Sequence, residues 1–216
     1  MNGGKVLWLV GLFVAVCAPL VSAQSGVRYS GNPPYAESDS ATKVVIAGTY
    51  LSTAVDGGVV VDATQFVAQG FSLPVKAYAI FAELILDETE GEFFSVQFTN
   101  AIGPGTTEAN VLASMEFQGG SSGSGIRFFL PLNFALVPGE YYLVLSATGS
   151  NVAAQPFFGG FGLPAYKPLP GTIGSPDASF YVAYDGGEDS SFPPASSWIS
   201  QAPDSPIEFS VRGVTN

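Results

Sequence analysis

Apolar and polar residues in this chain alternate over short runs, and Gly, Pro, Ser or Asp ends each run. In "IEFSVRG", Ile207, Phe209 and Val211 point one way and Glu208, Ser210 and Arg212 the other. "FFSVQFT" sets Phe94, Val96 and Phe98 against Ser95, Gln97 and Thr99, and "SFYVAYD" puts Phe180, Val182 and Tyr184 on one face. Successive side chains of a strand point to opposite faces, so each run can turn one face to a core and the other to water. Past the apolar leader no stretch keeps the i, i+3, i+4, i+7 spacing of an amphipathic helix.

Seven further runs read as strands: "TKVVIA" (Thr42 to Ala47), "GVVVD" (Gly58 to Asp62), "QFVAQGF" (Gln65 to Phe71), "KAYAIFAELIL" (Lys76 to Leu86), "VLASMEF" (Val111 to Phe117), "IRFFLPL" (Ile126 to Leu132) and "EYYLVLS" (Glu140 to Ser146). About ten strands in one domain predict an all-β fold, a two-sheet antiparallel β-sandwich of jelly-roll type. It would occupy residues 41–216, after a polar arm over 24–40 that contains "GNPPYAESDS". "GGSSGSG" (Gly119 to Gly125) reads as a hairpin loop because both its flanks are strand-like. Thr148 to Pro176 reads as one long loop, dense in proline, glycine and aromatic residues, that packs across an end or edge of the sandwich.

Residues 1–23 read as a secretory signal. Lys5 is the positive start, "VLWLVGLFVAV" the apolar stretch, and Val21 and Ala23 the small residues before a cut. The apolar stretch is shorter than a membrane span needs, so the expected mature chain begins at Gln24 and does not cross a membrane. Lipidation at Cys17 is set aside, because Val16 precedes it where a small residue is wanted.

Cys17 is the only cysteine and there is no histidine. A mature chain without either has no disulfide, no thiolate metal site and none of the usual transition-metal ligands. It also lacks the nucleophile–base pairs built on Ser–His or Cys–His. Loss of Lys5 leaves six basic residues against 18 acidic ones, a net charge of −12. Nucleic acid and anionic membrane surfaces are therefore poor partners.

What chemistry remains is carried by carboxylates and aromatic rings. Glu88, Glu90 and Glu92 alternate in "LDETEGEFF" and could face one glycosidic bond, although Gly91 and the flanking strands mark an exposed acidic turn. Calcium takes carboxylate and carbonyl oxygens, and Asp185, Glu188 and Asp189 offer such ligands on the glycine-rich turn "YDGGEDSS". The plainer reading of that turn is a solvated one, with no cofactor. Phe157, Phe158, Phe161, Tyr166, Phe192 and Trp198 gather in the loop-rich C-terminal half. Planar rings on a rigid scaffold can stack on sugars, but the same rings can plug the end of a sandwich that has no disulfides.

"LVPGEYYLVLSA" is the most regular phrase. Pro138 and Gly139 have the chemistry of a type II turn, and the strand after it alternates Tyr141, Leu143, Leu145 against Tyr142, Val144, Ser146. The two tyrosines therefore lie on opposite faces and form no single platform. Together with "VAQGFSL" and "FFSVQFT", this phrase resembles the exported bacterial β-sandwich domains of choice-of-anchor and PEP-CTERM-type surface proteins. Those domains run an "A-x-x-F" strand, an "F-x-V-x-L" hairpin and then "L-x-x-G-x-Y-x-L-x-L". The likeness spans roughly Gln65 to Val214 and implies a bacterial exported protein, with no catalytic residues to carry over. The sequence ends without the Pro-Glu-Pro box, apolar helix and basic tail of the anchored members, so release is the expectation.

These readings converge on a secreted, periplasmic or cell-surface protein that is not an enzyme and has a structural, matrix or adhesion role. The alternatives are a carbohydrate-binding module, calcium-assisted or not, and a glycan-active enzyme. Its partners would be surface or matrix polysaccharides or proteins. Intact-mass spectrometry of the exported protein is expected to give the mass of a chain starting at Gln24; a mass retaining residues 1–23 would refute the cut.

Overall fold

The computed structural model describes residues 24–25, 43–51, 58–86, 93–118, 126–147, 154, 166–169, 171–184, 192–201 and 206–214. These form twelve strands: β1 (Gln24–Ser25), β2 (Lys43–Leu51), β3 (Gln65–Leu73), β4 (Ala77–Leu86), β5 (Phe93–Thr99), β6 (Val111–Gln118), β7 (Ile126–Leu136), β8 (Gly139–Ala147), β9 (Tyr166–Pro168), β10 (Ser175–Tyr184), β11 (Ile199–Ser200) and β12 (Phe209–Val214). One sheet has the order β1-β6-β5-β8-β3-β10-β11 and the other β7-β4-β12-β2-β9. All pairings are antiparallel except β1 on β6. Without the two-residue β1 and the three-residue β9, ten strands remain in antiparallel sheets of six and four. This is the sandwich the alternation predicts. Among the described residues no helix is long and apolar enough to cross a membrane.

Alternation places the core. Phe94, Val96 and Phe98 of β5, and Phe209 and Val211 of β12 with Ile207 before it, are buried as expected. Two aromatic clusters fill the interior. Tyr141 stacks on Phe71 and Phe98, each at 5.6 Å between ring centroids. Phe128 from the facing sheet meets Phe94 and Phe117 edge-on at 5.1 and 5.4 Å. Such pairs contribute about 0.5–1.5 kcal/mol each beyond the area they bury. Buried polar groups find partners across the same interior. The Ile207 N–H donates to Gln69 Oε1 at 2.9 Å, and its carbonyl accepts from the Thr49 hydroxyl at 2.6 Å. A backbone step between the sheets thus keeps both of its hydrogen bonds.

The register puts the strand ends into two groups. Leu86 pairs with Ile126, Phe93 with Gln118, Phe94 with Ala147, Gln65 with Tyr184 and Leu51 with Tyr166. The connections 87–92, 119–125, 148–165 and 185–191 therefore all start at one end of the sandwich. The short turns at 74–76 and 137–138 lie at the other end, since Leu73 pairs with Gly139 and Ala77 with Leu136. β12 lies at the centre of its sheet, between β4 and β2.

Several expectations need correction. "GVVVD" is not a strand: Val59 and Val61 are buried, and Val61 makes an isolated bridge to Ala154. Asp62 Oδ1 accepts the N–H groups of Thr64 and Gln65 and turns the chain into β3 instead. The polar arm begins with a strand, because β6 offers an open edge where Gln24 pairs with Met115. The stretch 148–176 is interrupted by the Ala154 bridge, by β9 and by the start of β10. Tyr184 ends its strand 60% exposed, not on the core face.

Pro138-Gly139 is not a type II turn, since Gly139 lacks a positive φ and already belongs to β8. Tyr141 explains why. Its hydroxyl accepts from the Val137 N–H at 3.1 Å and donates to the Val137 carbonyl at 2.7 Å, closing the corner through a side chain. Removing that hydroxyl in Tyr141→Phe is expected to lower the unfolding free energy by about 1 kcal/mol. In urea the midpoint should fall at unchanged slope, and an unchanged midpoint would refute the role given to the corner.

Candidate functional site

Two polar constellations form on the outer faces, and each follows from register. On the five-stranded sheet, Phe81, Glu83 and Ile85 of β4 point outward. Glu83 lies directly opposite Ser210 of β12 and is diagonal to Arg127 of β7 and Arg212 of β12. Cross-strand neighbours at these positions are within side-chain reach. Arg127 Nη1 donates to Glu83 Oε1 at 2.6 Å, the Ser210 hydroxyl donates to Oε2 at 2.9 Å, and Arg212 Nε donates to Ser210 Oγ at 3.3 Å. The Glu83 side chain is only 6% exposed, against 46% for Arg127 and 43% for Arg212. A carboxylate this deep in a strand is tolerated because both of its oxygens are engaged. Thr49, Ile85, Leu169 and Glu208 complete the walls of a cleft of about 150 Å³ above it.

On the seven-stranded sheet the residues Gly70 and Ala68 of β3 leave room above the strand. Tyr142 of β8 stands opposite Gly70, and Tyr181 of β10 stands opposite Ala68. Their rings meet edge-on at 6.2 Å across β3. A shift in the β10 register between Pro176 and Phe180 swings Asp177 over Gly70, where its carboxylate accepts from the Tyr181 hydroxyl at 2.8 Å. A side chain at Gly70 would collide with that carboxylate and come within 2.9 Å of the Tyr142 ring. Burial pushes the Asp177 pKa above the ordinary carboxylate value. Burial and the nearby Asp177 charge push the Tyr142 and Tyr181 hydroxyls upward as well. This notch holds a carboxylate beside two phenols, groups suited to hydrogen bonding and ring stacking.

The residues singled out in the sequence lie elsewhere. Phe157, Phe158, Phe161, Asp185, Glu188, Asp189 and the Glu88, Glu90, Glu92 run fall outside the described residues. The segments carrying them start at the same end of the sandwich. The backbone of Tyr166 lies in β9, paired with Leu51 at that end. Trp198 is half-buried, and its indole N–H donates to the Pro194 carbonyl at 3.3 Å, bracing the 3-10 turn Pro193–Ala195 that Phe192 precedes. That bond favours a structural role for Trp198. Among the described residues no three of His, Cys, Asp and Glu gather where a metal ion could be held.

Sequence reasoning missed both constellations. Glu83, Arg127 and Arg212 occupy outward positions of alternating runs, where charge reads simply as solvated. Only the pairing of β7, β4 and β12 brings them together. No protein-family model matches the chain, and neither does any curated protein.

The Asp177 shift sets a pH dependence. Its folded pKa lies above the ordinary carboxylate value, so the folded state binds the proton more tightly than the unfolded chain does. The stability this contributes is complete below the unfolded pKa and is lost as pH rises through the folded one. Asp177→Asn is therefore expected to gain stability relative to the parent as pH rises from below 3.8 towards neutrality. Thermal melts across that range check the sign, and a variant that loses ground with rising pH would contradict it.

Proposed function

We propose that the chain is a non-catalytic β-sandwich, exported by a bacterium, with a structural, matrix or adhesive role at or outside the cell envelope. The observation carrying this reading is the commitment of its buried polar groups. Both oxygens of Glu83 are held by Arg127 and Ser210, Gln69 and Thr49 secure the Ile207 backbone, and Tyr141 closes its own corner. Gln97 Oε1 alone among the described buried side-chain atoms lacks a partner. Polar groups engaged in this way build a scaffold. Carboxyls that act on a glycosidic bond instead face each other across a cleft, with environments that separate their pKa values. The apolar leader, the acidity and the resemblance to exported surface domains support the proposed location.

A second reading is carbohydrate binding through the loop aromatics, with calcium as the ion that could assist. It is favoured by the register, which starts the connections carrying Phe157, Phe158, Phe161 and the Asp185–Asp189 turn at one end. Clustered loops on a rigid sandwich are a common way to build a binding surface. The mature protein, probed on a glycan array with and without calcium and incubated with polysaccharide substrates, separates the readings. The structural reading expects no released sugar in either condition. Turnover of any glycan would overturn it, and calcium-dependent retention on the array would favour the second reading.

A further inference from the structure

Asp177 has no counter-charge among the described residues. The irregular register of β10 carries it over Gly70, and the Gln69 side-chain amide donates to its backbone carbonyl at 3.2 Å, which pins it there. Its Oδ2 turns down towards Gly70 and accepts from the Tyr181 hydroxyl at 2.8 Å. Oδ1 has no described hydrogen bond and is not among the buried atoms that lack one, so it opens to solvent. No described Lys or Arg pairs with Asp177, or with Glu140, which is exposed two positions before Tyr142 on β8. Both phenols feel these charges. Burial first, then Asp177 and more weakly Glu140, push the Tyr142 and Tyr181 hydroxyls above their ordinary value. The notch is thus locally negative, and no described cation of the chain neutralises it.

The two rings narrow the class of cation. Tyr142 and Tyr181 are partly exposed and meet edge-on at 6.2 Å. An edge-on contact covers one face of one ring, which leaves π faces beside the carboxylate, and a cation is drawn to such a face. A metal ion would want several oxygen ligands, and among the described residues no three acidic side chains gather here. A primary ammonium needs less. It has N–H donors for Asp177 Oδ1 and for the Tyr142 hydroxyl, and its stem can lie against a ring. Asp177 sits low, over a glycine, so an ammonium on an unbranched stem reaches it, whereas an amine fixed on a sugar is held off by the sugar ring. Burial disfavours the ionised form of Asp177, and a bound cation offsets that penalty. We infer that the notch of Asp177, Tyr142 and Tyr181 binds a primary alkylammonium group, the chemistry of a lysine side chain on a partner protein. This deepens the adhesive reading and rests on it for the setting in which such a partner is met.

Solution NMR of the isotopically labelled mature protein near neutral pH tests the assignment, with n-butylammonium and Nα-acetyl-lysine amide as probes. Both are expected to shift the amides of Gly70, Tyr142 and Asp177 saturably, with dissociation constants on the order of 10 mM. Neutral n-butanol, and sodium chloride at matched ionic strength, should give no saturable shift there. Tetramethylammonium, which has no N–H, and glucosamine should each bind at least about fivefold more weakly. Asp177→Asn keeps an acceptor for Tyr181 and should weaken n-butylammonium about tenfold. Glu116→Gln makes an equal change in net charge at an exposed position of β6 and should leave the affinity within about twofold. If Asp177→Asn fails to fold, Tyr142→Leu replaces it and should cost about fivefold through the lost ring face. No saturable shift at these amides, equal binding of tetramethylammonium or glucosamine, or equal losses in the notch variant and in Glu116→Gln would each overturn the inference. A protein that binds the amine yet releases sugar from a glycan would sink the non-catalytic reading and leave this one standing.

Discussion

Contact between aromatic rings across the dry interior holds the two sheets together, because a chain with a single cysteine has no covalent alternative within itself. Phe128 reaches over from the five-stranded sheet to meet Phe94 and Phe117, and Phe209 approaches Phe71 at 6.2 Å. Rings bury the most area per position and keep defined geometries, so they fix the spacing as well as the energy. Everything polar inside must fit that spacing. Gln69 can serve the Ile207 N–H only while β3 and the approach to β12 stay at this separation.

The same constraint separates structure from candidate site. Inside, the described side-chain polar atoms other than Gln97 Oε1 meet a partner, because an unmet one costs about 1–3 kcal/mol. On the outer faces water removes that requirement, and side chains can keep donors or acceptors in reserve. Arg127 and Arg212 do so on one face, and the notch of Asp177, Tyr142 and Tyr181 offers the other face a carboxylate between rings. In both, the central group rests in a depression: Glu83 beneath two arginines, Asp177 over a glycine.

Period-two alternation made nine of the ten predicted strands legible, since each run carries its own evidence of which face turns inward. It failed where the local pattern competes with a specific hydrogen bond. "GVVVD" alternates nothing and is ended by Asp62, which captures the next backbone donors. The Pro-Gly turn looked like a glycine turn, but a tyrosine hydroxyl closes it. The short strands β1, β9 and β11 exist only because a neighbouring edge needs partners, and two or three residues hold no period. The cleft was illegible for a deeper reason. Glu83 and Arg127 are 44 positions apart and Glu83 and Ser210 are 127 apart, so their meeting depends on register, which no local run records.

The central place of β12 has a consequence for the order in which the fold can be made. Residues Phe209–Val214 fill the slot between β4 and β2, so those two strands cannot share a sheet until the far end of the chain arrives. A chain emerging amino terminus first from a ribosome cannot lock its five-stranded sheet before residues 209–214 appear. Closure of such distant pairings is slow, on the order of milliseconds to seconds. That delay leaves β4 and β2 without their shared partner until residues 209–214 join them.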